Sequence, residues 1–132
     1  MIGATGTETE LVTYDKLALC VGSGDTEVFA TPALAALMEA AAVQAVVPYL
    51  EAGQTTVGTR LELSHTAPTP EGMTVAATAT VTAVEGRSIT FSITAADESG
   101  PVGEAIHQRV IVDRERFTAR AKEKKQHEKS GR

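Results

Sequence analysis

The amino-acid sequence predicts an α+β domain in which an antiparallel sheet of about five strands wraps around one long central helix. Residues 30–50 read ATPALAALMEAAAVQAVVPYL, an apolar stretch whose one charged side chain is Glu39. From Thr55 to Val112 the pattern changes to period-two alternation broken by turn signals, so helix and strands come in blocks and not in β-α-β order. With 132 residues, 42% of them hydrophobic, the chain has the length and apolar content of one domain.

Met1–Thr7, MIGATGT, is small and Gly/Thr-rich, and residues 1–9 are expected to form a flexible leader. Glu10–Val21 mixes Leu11, Val12, Tyr14, Leu17, Leu19 and Val21 with polar neighbours, suggesting a first strand or two short ones at the start of a domain spanning 10–118. Gly22–Asp25, GSGD, is a loop that leads into the helix. Within the helix, Leu34, Leu37, Met38, Ala41, Ala42 and Ala45 fall at i, i+3, i+4 spacing. Its remaining faces carry alanine and valine, so protein is expected to enclose it. Thr31 is placed to cap the open backbone N–H groups, Pro32 suits the first helical position, and Pro48 marks the far end.

Glu51–Gln54, EAGQ, turns the chain into a strand over Thr55–Thr66, near whose end Ser64 and His65 fall on opposite faces. Ala67–Gly72, APTPEG, is a loop. Thr74–Val84 and Ser88–Ala95 alternate on either side of Glu85-Gly86-Arg87 and predict a hairpin. Asp97–Pro101 turns once more into Val102–Val112, with Ala105, His107, Arg109 and Ile111 on one face. The expected order is strand, long helix, then a meander of four strands, which is the hotdog arrangement. Such a sheet leaves an edge, and pairing of two chains into a homodimer is expected through that edge or across the helix.

Composition narrows the function classes. No apolar run of membrane-spanning length is uninterrupted, because Glu39 and Pro48 bound Ala40–Val47, and the N-terminus lacks the basic-then-apolar order of a signal peptide. No membrane partner is expected, and a cytoplasmic location follows by default. The single cysteine, Cys20, has no partner for an internal disulfide, and no Cys/His spacing suggests a metal. Neither a metal nor a cofactor is called for. Residues 1–112 hold four basic and thirteen acidic side chains, whereas 113–132 hold eight basic and four acidic. Residues 119–132 thus form a basic tail, read as a solvated helix or as an arm attracting phosphates. Nucleic-acid binding is not expected of an acidic body with five aromatic residues.

Three residues are candidates for chemistry: Thr31 at the helix entry, Glu39 within the helix, and His65 at the end of the following strand. An ionised carboxylate among apolar neighbours needs a partner or a shifted pKa, and Arg60 and Arg109 are the available cations. Positions 31 and 39 are separated by about 12 Å along a helix, so the helix alone does not bring their side chains together. A substrate must lie along the helix, or the site must draw on two chains. His107 reads as a sheet-face residue and His127 as a solvated one.

The segments FATPALAALMEAAAVQAVVPYLEAG, VGTRLELSHTAPTPEGMTVAATATVTAVEGRSITFSITAAD and HQRVIV are similar to those of the hotdog-fold acyl-CoA thioesterases. They most closely resemble the fluoroacetyl-CoA thioesterase type, over Val28–Phe117. The resemblance implies hydrolysis of a short-chain acyl-CoA, with Thr31, Glu39 and His65 as catalytic residues and Gly58 and Arg109 supporting substrate binding. In that reading Glu39 is the nucleophile or the general base, His65 an acid or base, and Thr31 a residue that holds the carbonyl or orients the pair. A hotdog domain that binds an acyl thioester or another small ligand without turnover is the alternative, and a related lyase or hydratase a third. The likeness fails at Gly22–Asp25, which supplies no aromatic lid over the acyl group, so selectivity for a fluorinated acyl group does not follow.

Overall fold

The computed structural model describes residues 1–130, with side chains through Lys125. Five strands form one antiparallel sheet: β1 (Thr5–Leu11), β2 (Gln54–His65), β3 (Thr74–Glu85), β4 (Ser88–Asp97) and β5 (Gly100–Asp113), in the order β1-β3-β4-β5-β2. The central helix is α2 (Thr31–Val46), continued by a 3₁₀ turn at Val47–Tyr49. A one-turn helix, α1 (Ala18–Val21), precedes it, and α3 (Arg114–Ser130) follows the sheet.

The alternation seen in the sequence is the alternation of burial. Val75, Ala77, Ala79 and Val81 of β3, and Ile89, Phe91, Ile93 and Ala95 of β4, point at α2 and are buried. From the helix, Leu34, Leu37, Met38, Ala41, Ala42, Ala45 and Val46 complete the core. Burying a side chain of Leu, Met or Phe size stabilises a fold by about 1.5–3 kcal/mol, and this cluster is what holds helix and sheet together. The segment Thr31–Tyr49 has 19 residues and an 18-residue window of mean hydropathy 1.3, so by length and composition alone, with Glu39 and Pro48 included, it is apolar enough to cross a membrane, a test that the core helix of a sheet-covered domain also passes. Its apolarity is accounted for on the sheet-facing side by the core.

Four expectations are corrected. Residues 5–9 are not a flexible leader, because Thr5–Leu11 pairs with β3 from Thr5 opposite Thr80 to Leu11 opposite Thr74. Small residues there serve close packing: a Cβ on Gly6 would collide with the backbone of Ala41 and Ala45, so glycine lets the strand lie against the helix. Beyond Leu11 the expected strand gives way to a 3₁₀ turn at Tyr14–Lys16 and to α1. The four later strands are not a simple meander, since β2 pairs with β5 at the edge remote from β1, and only β3, β4 and β5 follow one another. Finally, the helix is not enclosed all round: Thr31, Pro32, Ala36, Gln44 and Val47 are exposed. The basic C-terminal segment is helical, and every described side chain from Arg114 to Lys125 is exposed. Residues 131–132 and the side chain of His127 lie outside the described part.

Candidate active site

The chain entering α2 is held on both sides. Ala18 N–H donates to Val28 O (2.8 Å) and Ala30 N–H to Lys16 O (2.9 Å), while Phe29 N–H donates to Thr69 O (2.8 Å). Thr69 is itself fixed, its hydroxyl donating to Asp97 Oδ2 at 2.8 Å. This frame delivers Thr31 in a defined orientation. The helix begins at Thr31, with Ala30 in the capping position and no side-chain capping bond. The expected Thr31 cap is therefore absent, and its hydroxyl lies 2.8 Å from Nδ1 of His65 instead.

His65 ends β2 opposite Gly103 of β5. A Cβ on Gly103 would come within 2.8 Å of Ser64 O and 3.1 Å of Leu34 Cδ2, so this glycine allows strand end and helix to approach. Burial pushes the His65 pKa below its ordinary value, and the Ala67 backbone partly opposes that shift. Its Nε2 is buried without a hydrogen-bond partner. A cavity of about 330 Å³ opens against the pair, walled by Ser23, Gly24 and Thr26 of the glycine-rich loop and by Phe29 and Pro68.

Glu39 belongs to a second cluster farther along α2. Its Oε2 is 3.9 Å from Nη1 of Arg109, an ion pair too long to be a hydrogen bond. Arg60, the other available cation, pairs with Glu62. Arg109 is buried and anchored, its Nε donating to Thr56 Oγ1 (2.8 Å) and its Nη2 to Thr56 O (3.0 Å). Burial pushes its pKa down, and the Glu39 carboxylate opposes the shift. The side chain of Glu39 is 45% exposed against 9% for Arg109, so the anion faces outward from a fixed cation.

A β-bulge explains how Gly58 comes to this cluster. The β2–β5 register shifts between Gly58 and Arg60, so that Gly58 lies opposite Arg109 while Leu61 lies opposite His107. Strict alternation would put Gly58 and Leu61 on opposite faces, and the extra residue brings both to the helix side. A Cβ on Gly58 would sit 3.0 Å from Glu39 Oε2, 3.3 Å from Arg109 Nη1 and 3.3 Å from His107 Cε1. Carboxylate, guanidinium and imidazole thus converge on the space where glycine has no side chain.

The structure brings Thr31 together with His65, and Glu39 together with Gly58 and Arg109. It does not join the two groups through a hydrogen bond among the described residues. Thr56 was not singled out from the sequence, and His107, read there as a sheet-face residue, does lie on the buried face of β5 but was given no part in the site. The signal for His107 was present, because alternation along β5 sets it on the same face as Arg109.

A curled five-stranded sheet on a central helix, with a hydroxyl–imidazole pair at the helix entry and a carboxylate within the helix, places the molecule among the hotdog thioesterases. A family profile described as fluoroacetyl-CoA-specific thioesterase, FlK, matches residues 12–115. The chain belongs to this family and is an enzyme of the thioesterase class. It is 42% identical over 98 residues, 74% of this chain and 70% of the relative, to the fluoroacetyl-CoA thioesterase of Streptantibioticus cattleyicolor. A mutant of the thioesterase FlK in complex with acetyl-CoA superposes with a TM-score of 0.89 at 34% identity, covering 94% of this chain and 98% of that one. A hot-dog-like protein from Thermanaerovibrio acidaminovorans superposes with a TM-score of 0.84 at 28% identity, covering 93% and 91%.

Proposed function

We propose that this protein hydrolyses a short-chain acyl-CoA thioester to the free acid and CoA, with Glu39, His65 and Thr31 carrying the reaction. The observation that carries this reading is the 2.8 Å contact of Thr31 with His65 beside a cavity, on a chain whose relatives are thioesterases. In the reaction, a Glu39 oxygen adds to the thioester carbonyl carbon, the C–S bond breaks, and the acyl group passes to Glu39 as an anhydride. The departing thiolate takes a proton from the His65 imidazolium, and when water cleaves the anhydride one of its protons returns to His65 as the Glu39 carboxylate is restored and the acid is released. The same residues also suit direct attack by a water whose proton Glu39 removes. The N–H groups of the first helical turn have no acceptor within the helix, and with Thr31 they offer a donor to the developing oxyanion.

Because Thr31 and Glu39 are about 12 Å apart along the axis, we further propose that a homodimer completes the site. The open face of α2 at Ala36, the 51% exposed Val47 of the 3₁₀ turn that continues it, and the free edges of β1 and β2 supply surfaces for a second copy. The reading is tested by free-thiol release from a panel of acyl-CoAs, where turnover of at least one short-chain member is expected. Tight binding of one with turnover of none would overturn it in favour of a binding module. Mixing an inactive Thr31 variant with an inactive Glu39 variant under conditions of subunit exchange restores activity if the two residues reach one site from different chains. No recovery, or a monomer at micromolar concentration, would refute the shared site.

A further inference from the structure

His107 is a buried titratable residue to which the proposed chemistry gives no task. It lies 1% exposed on the inner face of β5, with its ring centroid 5.8 Å from that of Phe91. Its Nδ1 is 2.7 Å from the carbonyl oxygen of Arg60. A carbonyl only accepts, so Nδ1 carries the proton and donates. In the neutral ring Nε2 is then a bare lone pair, and it lies 3.2 Å from Nη1 of Arg109, which only donates. Both contacts are satisfied by one tautomer and by no other protonation state. Arg109 is thereby held at three donors: Nε and Nη2 on Thr56, and Nη1 on His107. That same Nη1 is the atom 3.9 Å from Glu39 Oε2.

We propose that His107 is a positioning residue: its neutral imidazole fixes the Arg109 guanidinium, and through it the direction of the Glu39 carboxylate. The inference rests on Glu39 carrying the thioester chemistry, and it assigns a role to a side chain outside the reacting set. The groups facing His107 fit the arrangement. Arg109 and Glu39 approach from β5 and α2, Arg60 presents its carbonyl from β2, and Phe91 of β4 closes the remaining side without charge. Burial is the largest influence and disfavours a second proton on the ring; the Arg60 carbonyl opposes it, the Arg109 cation adds to it, and Glu39 opposes it least, with the pKa lowered on balance. A second proton would occupy the lone pair that Arg109 uses and set two cations against each other.

The test compares two substitutions of similar size. His107→Gln can bring an amide oxygen to the position of Nε2 and keeps an acceptor for Arg109 without a titrating group, whereas His107→Phe keeps the flat ring and has no acceptor. For the short-chain acyl-CoA the enzyme turns over best, kcat is expected to fall at least tenfold in His107→Phe with KM within about threefold, and to return to within about threefold of wild type in His107→Gln. Equal losses in the two variants, or none in either, would overturn the proposal. NMR of ¹⁵N-labelled protein supplies a readout independent of turnover. The wild-type ring is expected to show the Nδ1–H tautomer, and the Arg109 guanidinium protons to lose protection from exchange in His107→Phe but not in His107→Gln. Protection unchanged in both variants, or an Nε2–H tautomer, would refute the positioning role even if no acyl-CoA were hydrolysed, so its failure is separable from that of the hydrolase reading.

Discussion

Gly58→Ala probes the convergence of the Glu39, Arg109 and His107 side chains with one methyl group. The backbone tolerates it, since Gly58 is not among the glycines of positive φ. The new Cβ would stand 3.0 Å from Glu39 Oε2 and 3.3 Å from both Arg109 Nη1 and His107 Cε1, closer than nearly all real contacts of a Cβ. Arg109 is tied by its bonds to Thr56 and His107 by its bond to the Arg60 carbonyl, so neither yields easily. The half-exposed carboxylate moves instead, swinging outward by a few tenths of an ångström or more. Stability should therefore change by less than about 1 kcal/mol, because mild crowding is offset by the reduced freedom of the unfolded chain on replacing glycine. A displacement approaching 1 Å at a reacting group costs up to about 10²-fold, so a loss of roughly ten- to a hundredfold in kcat/KM is expected, or about 1.4–2.7 kcal/mol. Thiol release measures the rate, and thermal denaturation measures the stability. Activity within about twofold of wild type would refute the idea that the space at Gly58 sets the carboxylate, and a melting point lowered by more than about 10 °C would show that Gly58 serves packing.

Glu39→Gln keeps the side-chain shape and removes the charge, so turnover should fall by more than tenfold with the circular dichroism spectrum preserved; a smaller loss, under about 1.4 kcal/mol of barrier, would remove Glu39 from the reaction. His65→Ala should lower the rate by about 10²- to 10⁴-fold. Burial depresses the pKa of both His65 and His107 in the folded chain, so the stability contributed by their neutral forms is present above about pH 6.5 and is lost as pH falls through the lowered values. A melting temperature that rises on acidification through that window would contradict this. With Ser23, Gly24 and Thr26 walling the cavity where no aromatic lid stands, acetyl-CoA and fluoroacetyl-CoA should differ in kcat/KM by no more than the 1–3 kcal/mol, about 10–200-fold, available to so small a change. A preference above about 10⁴-fold for the fluorinated substrate would show that another feature reads the fluorine.

The central helix and the β3–β4 hairpin were legible because a single physical cause, burial on one face, writes a period into the sequence. Leu34, Leu37, Met38, Ala41, Ala42 and Ala45 are all buried as their spacing implied. Residues 5–9 were misread because glycine and threonine are ambiguous. They suit a mobile leader, yet here Gly6 is required by the contact of β1 with α2, and a contact between distant segments leaves no local pattern. The partner of β2 was equally hidden, since alternation fixes which face a strand buries but not which strand lies beside it. Gly58 reached the cluster only through a bulge, which shifts the face of every residue on one side of it. The isolated carboxylate in an apolar helix did point to Glu39, and Arg109 is the cation that answers it.

The two clusters share a feature that bears on reactivity. A carboxylate wholly engaged by hydrogen bonds has little electron density to offer, and one without any neighbour would be hydrated and mobile. Glu39 lies between these limits: an anchored guanidinium 3.9 Å away supplies direction by charge alone, and among the described residues no hydrogen bond engages the carboxylate oxygens. His65 is arranged similarly, with Nδ1 held by Thr31 at 2.8 Å and Nε2 left without a partner. Each side chain is thus oriented by one contact while the atom suited to reaction stays unengaged. The missing side chain of Gly58 leaves the carboxylate room to lie this close to Arg109, and with Arg109 fixed by Thr56 and His107 the pair stops at 3.9 Å, a separation that leaves both carboxylate oxygens free for the attacking or proton-accepting role proposed for Glu39.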